Sequence, residues 1–178
     1  MKRLLVVVDY QRDFVDGSLG FPGAEKLDGL IAEKIAAYRV SGDDVVFTLD
    51  THGADYAATQ EGRKLPIPHC LEGSGGWTLF GKTGEARQEG DICFRKPTFP
   101  SLELANWLAG REYNQVELVG LVSNICVVSN AVMAKAALPE AEIVVDTACT
   151  ASFDPGLHEK TLDVLEGLQI TVVNRSCL

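Results

Sequence analysis

Apolar, β-branched runs alternate with helix-period stretches from one end of the chain to the other. Leu4–Val8, Asp44–Leu49, Asp91–Phe94, Val116–Val119, Glu142–Val145 and Ile170–Val173 read as strands. Between the first two, Ala24–Val40 places Leu27, Leu30, Ile31, Ile35 and Tyr38 on one face of a helix. Further helices are predicted near Ser101–Leu108, Ile125–Leu138 and Pro155–Leu168. The Ile125–Leu138 stretch is apolar almost all round, which predicts a buried helix. The last helix follows Asp154, a suitable N-cap, with Pro155 at its first position. Such alternation predicts an α/β fold, with a parallel sheet covered by helices on both faces and right-handed crossovers. Thr51–Gly90 interrupts it. That stretch is rich in Gly, Pro and polar residues and far exceeds a usual connection, so it reads as a functional loop.

Composition narrows the picture. The 178 residues fit one domain, taken as 1–178, with 46% hydrophobic and 23% charged residues. A net charge of −9 argues against nucleic acid or an anionic membrane as partner. No apolar run approaches the roughly 20 residues of a membrane-spanning helix. Met1-Lys2-Arg3 before Leu4–Val8 faintly resembles a leader, but the apolar run is too short and reads better as a strand. Five scattered cysteines, an odd number, do not form a disulfide framework and point to a reducing cytoplasm.

Reactive groups gather past the strands: Asp9 after the first, Asp50 and His52 after the second, Arg95 and Lys96 after the third, Ser123, Asn124 and Cys126 after the fourth. In open parallel sheets ligands bind at this edge. The strand carrying Gly120 is expected to break there, with a helix starting at Ser123 or Asn124. A Cys126 thiol in that first turn would have a lowered pKa, and the free N–H groups could hold an oxyanion. Cys126 could equally be a small core residue, the reading given to Cys70, Cys93, Cys149 and Cys177. Asp9 could accept the thiol proton and Lys96 balance the charge. A turn aspartate and a solvated lysine are the plainer alternatives. Asp50 and His52, with Glu61 and His69, offer ligands for Zn, Fe or Mn. A polar loop without metal fits the same residues, and Cys70 ranks behind Glu61 as a rival ligand. His158 is expected on a solvent-exposed helix surface.

Taken together, these segments resemble the isochorismatase-like cysteine hydrolases, and among them the nicotinamidases. Val7-Val8-Asp9-Tyr10-Gln11-Arg12-Asp13-Phe14 is similar to the family's opening strand and catalytic Asp. Phe94-Arg95-Lys96-Pro97-Thr98-Phe99 resembles the catalytic Lys segment, and Gly120 through Val127 the nucleophile segment. The resemblance implies a three-layer α/β/α sandwich with a six-stranded parallel sheet in the order 3-2-1-4-5-6. It also implies a non-proline cis peptide before Val122, with the N–H groups of Val122 and Cys126 as oxyanion hole. Asp50, His52 and His69 match the family's metal ligands, Glu61 an acidic fourth ligand of some members. Phe14, Leu19 and Phe99 fall where nicotinamidases line a pyridine pocket. The chain departs from the pattern at Asn124, where Asp is usual, at Thr51, where Trp is common, and in lacking a Ser-Ala-Phe run after the Lys segment.

The activity so implied is hydrolysis of nicotinamide to nicotinic acid and ammonia through a Cys126 thioester, with zinc ahead of iron or manganese as the divalent metal. Family members are often homo-oligomers, and the resemblance carries that expectation here. Three rivals stand beside it: a metal-free amidase for a carbamoyl or ureido compound, a metal–water hydrolase with Cys126 as core, and a binding protein that has lost catalysis.

Overall fold

The computed structural model describes residues 2–175. Six parallel strands form one sheet in the order β3-β2-β1-β4-β5-β6. The strands are β1 (Arg3–Val8), β2 (Asp44–Asp50), β3 (Cys93–Lys96), β4 (Gln115–Leu121), β5 (Glu142–Ala151) and β6 (Thr171–Val173). The helices are α1 (Arg12–Val15), α2 (Leu27–Val40), α3 (Gln60–Lys64), α4 (Gly81–Ala86), α5 (Leu102–Ala109), α6 (Val128–Ala137) and α7 (Pro155–Gly167).

Side-chain alternation along β1 divides the core in two. Leu4, Val6 and Val8 face α5, α6 and α7 through Leu104, Leu108, Ala131, Ala134, Leu162 and Leu165. Leu5 and Val7 face α1 and α2 through Phe14, Ile31, Ile35 and Tyr38. A strand apolar on both faces is what a covered parallel sheet requires. Truncating one of these wholly buried side chains, such as Ile31→Ala, removes about 2–5 kcal/mol of stability.

Several expected elements shift. Ala24–Lys26 is a 3₁₀ turn ahead of α2, and Leu30 is 45% exposed, off the buried stripe. The stretch expected as one buried helix splits into a π-helical turn, Ser123–Val127, and α6. Its contact with the sheet uses small Ala131 and Ala134, which leaves Val132 41% exposed. Apolarity all round did not mean burial all round. The third strand lies two residues later than expected, so Arg95 and Lys96 end it from within. The fifth runs on to Ala151, past Thr147 and Ala148, where polar and exposed positions hide the pattern. Gly120 does not end β4. It bends it, with φ +109° and a register shift against β5. Only glycine fits, because a Cβ there would collide with the Val8 carbonyl. Ser101 and Asp154 cap α5 and α7, accepting the N–H groups of Leu104 at 3.1 Å and Leu157 at 2.9 Å.

Candidate active site

Strand ends build the centre. β1 stops at Val8, and Asp9 turns off it in the left-handed region at φ +45°. Along β2 and β3 the alternate positions Thr48, Asp50, Phe94 and Lys96 are all buried, and Asp50 pairs with Lys96 in register. Lys96 Nζ lies 2.6 Å from Asp9 Oδ2, 3.2 Å from Asp50 Oδ1 and 3.6 Å from Cys126 Sγ, and it donates to the Thr98 carbonyl at 3.1 Å. Thr48 Oγ1 donates to Asp9 Oδ1 at 2.6 Å. The three residues expected as a triad therefore meet, buried, at one ammonium group.

Burial governs their electrostatics. It raises Asp9, with the Lys96 charge opposing and Asp50 assisting. It also pushes the Cys126 thiol well above its ordinary value, against Lys96 and with help from Asp9. The expectation of a lowered thiol pKa is overturned: loss of water around a buried sulfur outweighs the helix start and the nearby ammonium. Burial works against the charge on Lys96, but Asp9, Cys126 and Asp50 outweigh it and hold it firmly protonated.

The Leu121–Val122 peptide is cis, as the resemblance implied. The Ile125 and Val127 N–H groups turn back to the Val122 carbonyl at 3.1 and 3.2 Å. Asn130 ties this turn down. Its Nδ2 donates to the Cys126 carbonyl at 2.8 Å and the Phe99 carbonyl at 3.1 Å, and its Oδ1 accepts the Ser101 N–H at 2.9 Å. His158 is half-buried rather than solvent-exposed, and its Nδ1 is 2.8 Å from Ser123 Oγ because α7 packs against the turn.

A second cluster adjoins the first. Asp50, His52, Glu61 and His69 each present a ligand atom within 4.8 Å of the others. The imidazole Nε2 atoms lie 3.1 Å (His52) and 3.4 Å (His69) from Asp50 Oδ2, and each is 3.7 Å from Glu61 Oε1. Ligands about 2.1 Å from a tetrahedral ion stand roughly 3.4 Å apart, so the donor set fits a divalent metal. His69 Nδ1 donates to the Ile67 carbonyl at 2.9 Å, which leaves Nε2 for the cluster. Burial and the neighbouring Asp50 raise Glu61. Burial alone would raise Asp50 too, but His52, His69 and Lys96 hold it well below the usual carboxylate range. Tyr56 packs against both imidazoles, with ring centroids at 4.7 and 5.1 Å. Glu61, not Cys70, joins the set. The Cys70 N–H is held by Asp13 at 2.7 Å, and burial raises its thiol.

A cavity of about 510 Å³ opens over both clusters. Phe14, Leu19 and Phe99, expected in the pocket, line it with Cys126, Asp50 and His69. Leu65, Ile125 and Phe153 line it as well and were not anticipated. Phe153 follows the true end of β5 at Ala151, six residues beyond the apolar run that marks the strand in sequence. Thr51, at a position where Trp is common, accepts a 2.9 Å hydrogen bond from the Trp77 indole. Of the remaining cysteines, Cys149 is buried with its thiol pushed up to about 12, Cys93 is half-buried, and Cys177 lies outside the described residues.

A family model for the isochorismatase domain matches residues 3–176. The chain belongs to the isochorismatase family. The isochorismatase family protein PncA of Bacillus subtilis is 31% identical over 170 residues, covering 89% of this chain and 91% of that protein. The crystal structure of nicotinamidase/pyrazinamidase PncA from Bacillus subtilis superposes with a TM-score of 0.85 at 29% identity, over 97% of this chain and 99% of that one. N-carbamoylsarcosine amidase from Thermoplasma acidophilum superposes with a TM-score of 0.79 at 28% identity, over 97% and 95% of the two chains. Isochorismatase-family membership thus agrees with the strand order and with the placing of Asp9, Lys96 and Cys126 at one sheet edge.

Proposed function

We propose that this chain is an amidohydrolase of small amides, converting nicotinamide to nicotinic acid and ammonia with Cys126 as nucleophile. The observation that carries the reading is Lys96 Nζ, in contact with both Asp9 and Cys126, where Cys126 itself lines a largely apolar cavity. The similarity to nicotinamidase/pyrazinamidase PncA supports the choice of substrate.

At rest the proton stays on sulfur, because burial disfavours the thiolate. Asp9, raised but paired with Lys96, is the acceptor. As Sγ bonds to the amide carbon, Asp9 takes the thiol proton and Lys96 holds the charge that moves through the site. The N–H groups of Val122 and Cys126 receive the oxyanion. Asp9 then gives its proton to the departing ammonia, leaving a thioester on Cys126. It next deprotonates the water that attacks the thioester and returns that proton to sulfur as the C–S bond breaks, restoring the thiol and its own carboxylate. Asp50, His52, Glu61 and His69 would hold a divalent transition metal, zinc ahead of iron or manganese, which supplies a Lewis-acid point for the ring nitrogen. Phe14, Leu19 and Phe99 enclose the ring with apolar surface.

The similarity to N-carbamoylsarcosine amidase makes a ureido compound the second reading. Ammonia release from a panel with nicotinamide, pyrazinamide and a carbamoyl amino acid tests both. Turnover of nicotinamide is expected. Release from the carbamoyl compound alone would move the substrate class, and no release from any amide would overturn the activity.

A further inference from the structure

Gln11 is fully buried two residues past Asp9, and its amide is spent wholly on the main chain of other segments. Its Oε1 accepts the Asp50 N–H at 2.7 Å, and its Nε2 donates to the Asp50 carbonyl at 3.0 Å and the Trp77 carbonyl at 2.7 Å. The reason lies in strand lengths. β1 pairs with β2 only as far as Val8 opposite Thr48, since Asp9 then turns away. Asp50, further along β2, meets β3 on one side, where the Thr51 N–H reaches the Lys96 carbonyl at 2.9 Å. On the β1 side its peptide groups face a strand that has ended. A buried N–H or carbonyl without a partner is costly. The Gln11 amide, one acceptor and one donor at peptide spacing, fills that gap.

The geometry points to Gln11 as a positioning residue, its side-chain amide standing in for the next peptide group of β1 and fixing Asp50. It sets where one carboxylate meets both Lys96 and the imidazole pair. This rests on the proposed function, which makes Asp50 a metal ligand. A methionine of similar volume would pack as well but could make none of the three bonds.

The test is Zn²⁺ affinity, measured against a chromogenic chelator for the wild type, Gln11→Met and Gln11→Glu, with thermal midpoints of the metal-free proteins alongside. Gln11→Met is expected to weaken Zn²⁺ binding by about 10–100-fold, the usual loss when a group orienting a ligand is removed, while its metal-free midpoint falls by roughly 5–15 °C for the orphaned peptide groups with the transition still cooperative. Gln11→Glu keeps the shape and the acceptor but not the donor, so it should lose affinity in the same direction and serves if the methionine variant does not fold. Affinities within about twofold of wild type would overturn the proposal. So would a collapse of the metal-free midpoint in both variants, which marks general destabilisation. Wild-type protein that takes up no Zn²⁺ would instead sink the metal reading itself, a failure visible without any variant.

Discussion

The two halves of the site are held in different ways. Asp9, Lys96 and Cys126 sit at or just beyond the ends of β1, β3 and β4, so the sheet itself sets their spacing. His52, Glu61 and His69 sit on the long connection between β2 and β3, where short helical turns and one isolated bridge, His52 against Leu71, take the place of the sheet ladder. That connection is further positioned by individual side chains: Gln11 on the Trp77 carbonyl, Asp13 on the Cys70 N–H, Tyr56 against two imidazoles, Trp77 on Thr51. The groups at the strand ends take their spacing from the sheet, with Thr48, Gln11 and Asn130 as added ties. The loop-borne groups rely on such contacts together with a few backbone bonds, among them Arg12 N–H to the Thr78 carbonyl and Asp13 N–H to the Gly76 carbonyl.

If the halves also divide the chemistry, their mutants should fail differently. Cys126→Ala removes the covalent route, and nicotinamide turnover should fall at least about a thousandfold while Zn²⁺ still binds. Asp9→Asn should behave alike, since an amide cannot take the thiol proton. Near-normal turnover in Cys126→Ala beside a dead His52→Ala would reverse the assignment and make a metal-bound water the nucleophile. His52→Ala should lose metal and about 10–100-fold in kcat/KM, part of it in KM, because a misplaced carbonyl slows attack.

A smaller effect sharpens the division. Asp13→Ala leaves the part-buried Cys70 N–H without its acceptor, at about 1–3 kcal/mol of stability. It should loosen Zn²⁺ yet leave the alkylation rate of Cys126 unchanged. Equal losses in both would mean that the loop and the sheet edge move as one body. The finest test is pH. The raised thiol predicts that iodoacetamide labels Cys126 faster as pH rises, with no plateau below the ordinary thiol range. The raised base predicts that the acid limb of kcat/KM lies above the ordinary carboxylate range, since Asp9 must be ionised to accept the proton and its pKa is shifted up. A plateau of labelling near neutrality would mean that Lys96 outweighs burial.

Strand-end chemistry was legible because apolar runs mark strands and strands mark an edge. Asp9, Asp50 and Cys126 followed from that rule, and the family resemblance added the sheet order and the cis peptide. The thiol pKa did not follow, because burial of Cys126 depends on packing between distant segments, with Lys96 of β3 against its sulfur. Asn130 and Gln11 carry no role legible in the sequence, for a similar reason. Asn130 reaches backbone groups up to 31 residues away and Gln11 up to 66, and no local pattern marks an amide whose partners are distant peptide groups. His158 looked like an exposed helical residue because four-residue periodicity cannot tell which flank of α7 meets Ser123.

Asp50 carries a consequence of another kind. Its Oδ1 faces Lys96 and its Oδ2 faces the two imidazoles, so one codon serves both halves of the site. No single replacement there deletes one role alone. Asparagine surrenders the charge to both, and glutamate moves both oxygens by a methylene. The position is pleiotropic, and the two halves are inherited as a linked pair. A descendant that dispensed with metal while keeping this carboxylate would still look metal-competent in sequence. One that lost the carboxylate would leave Lys96 with one anionic neighbour fewer beside Asp9.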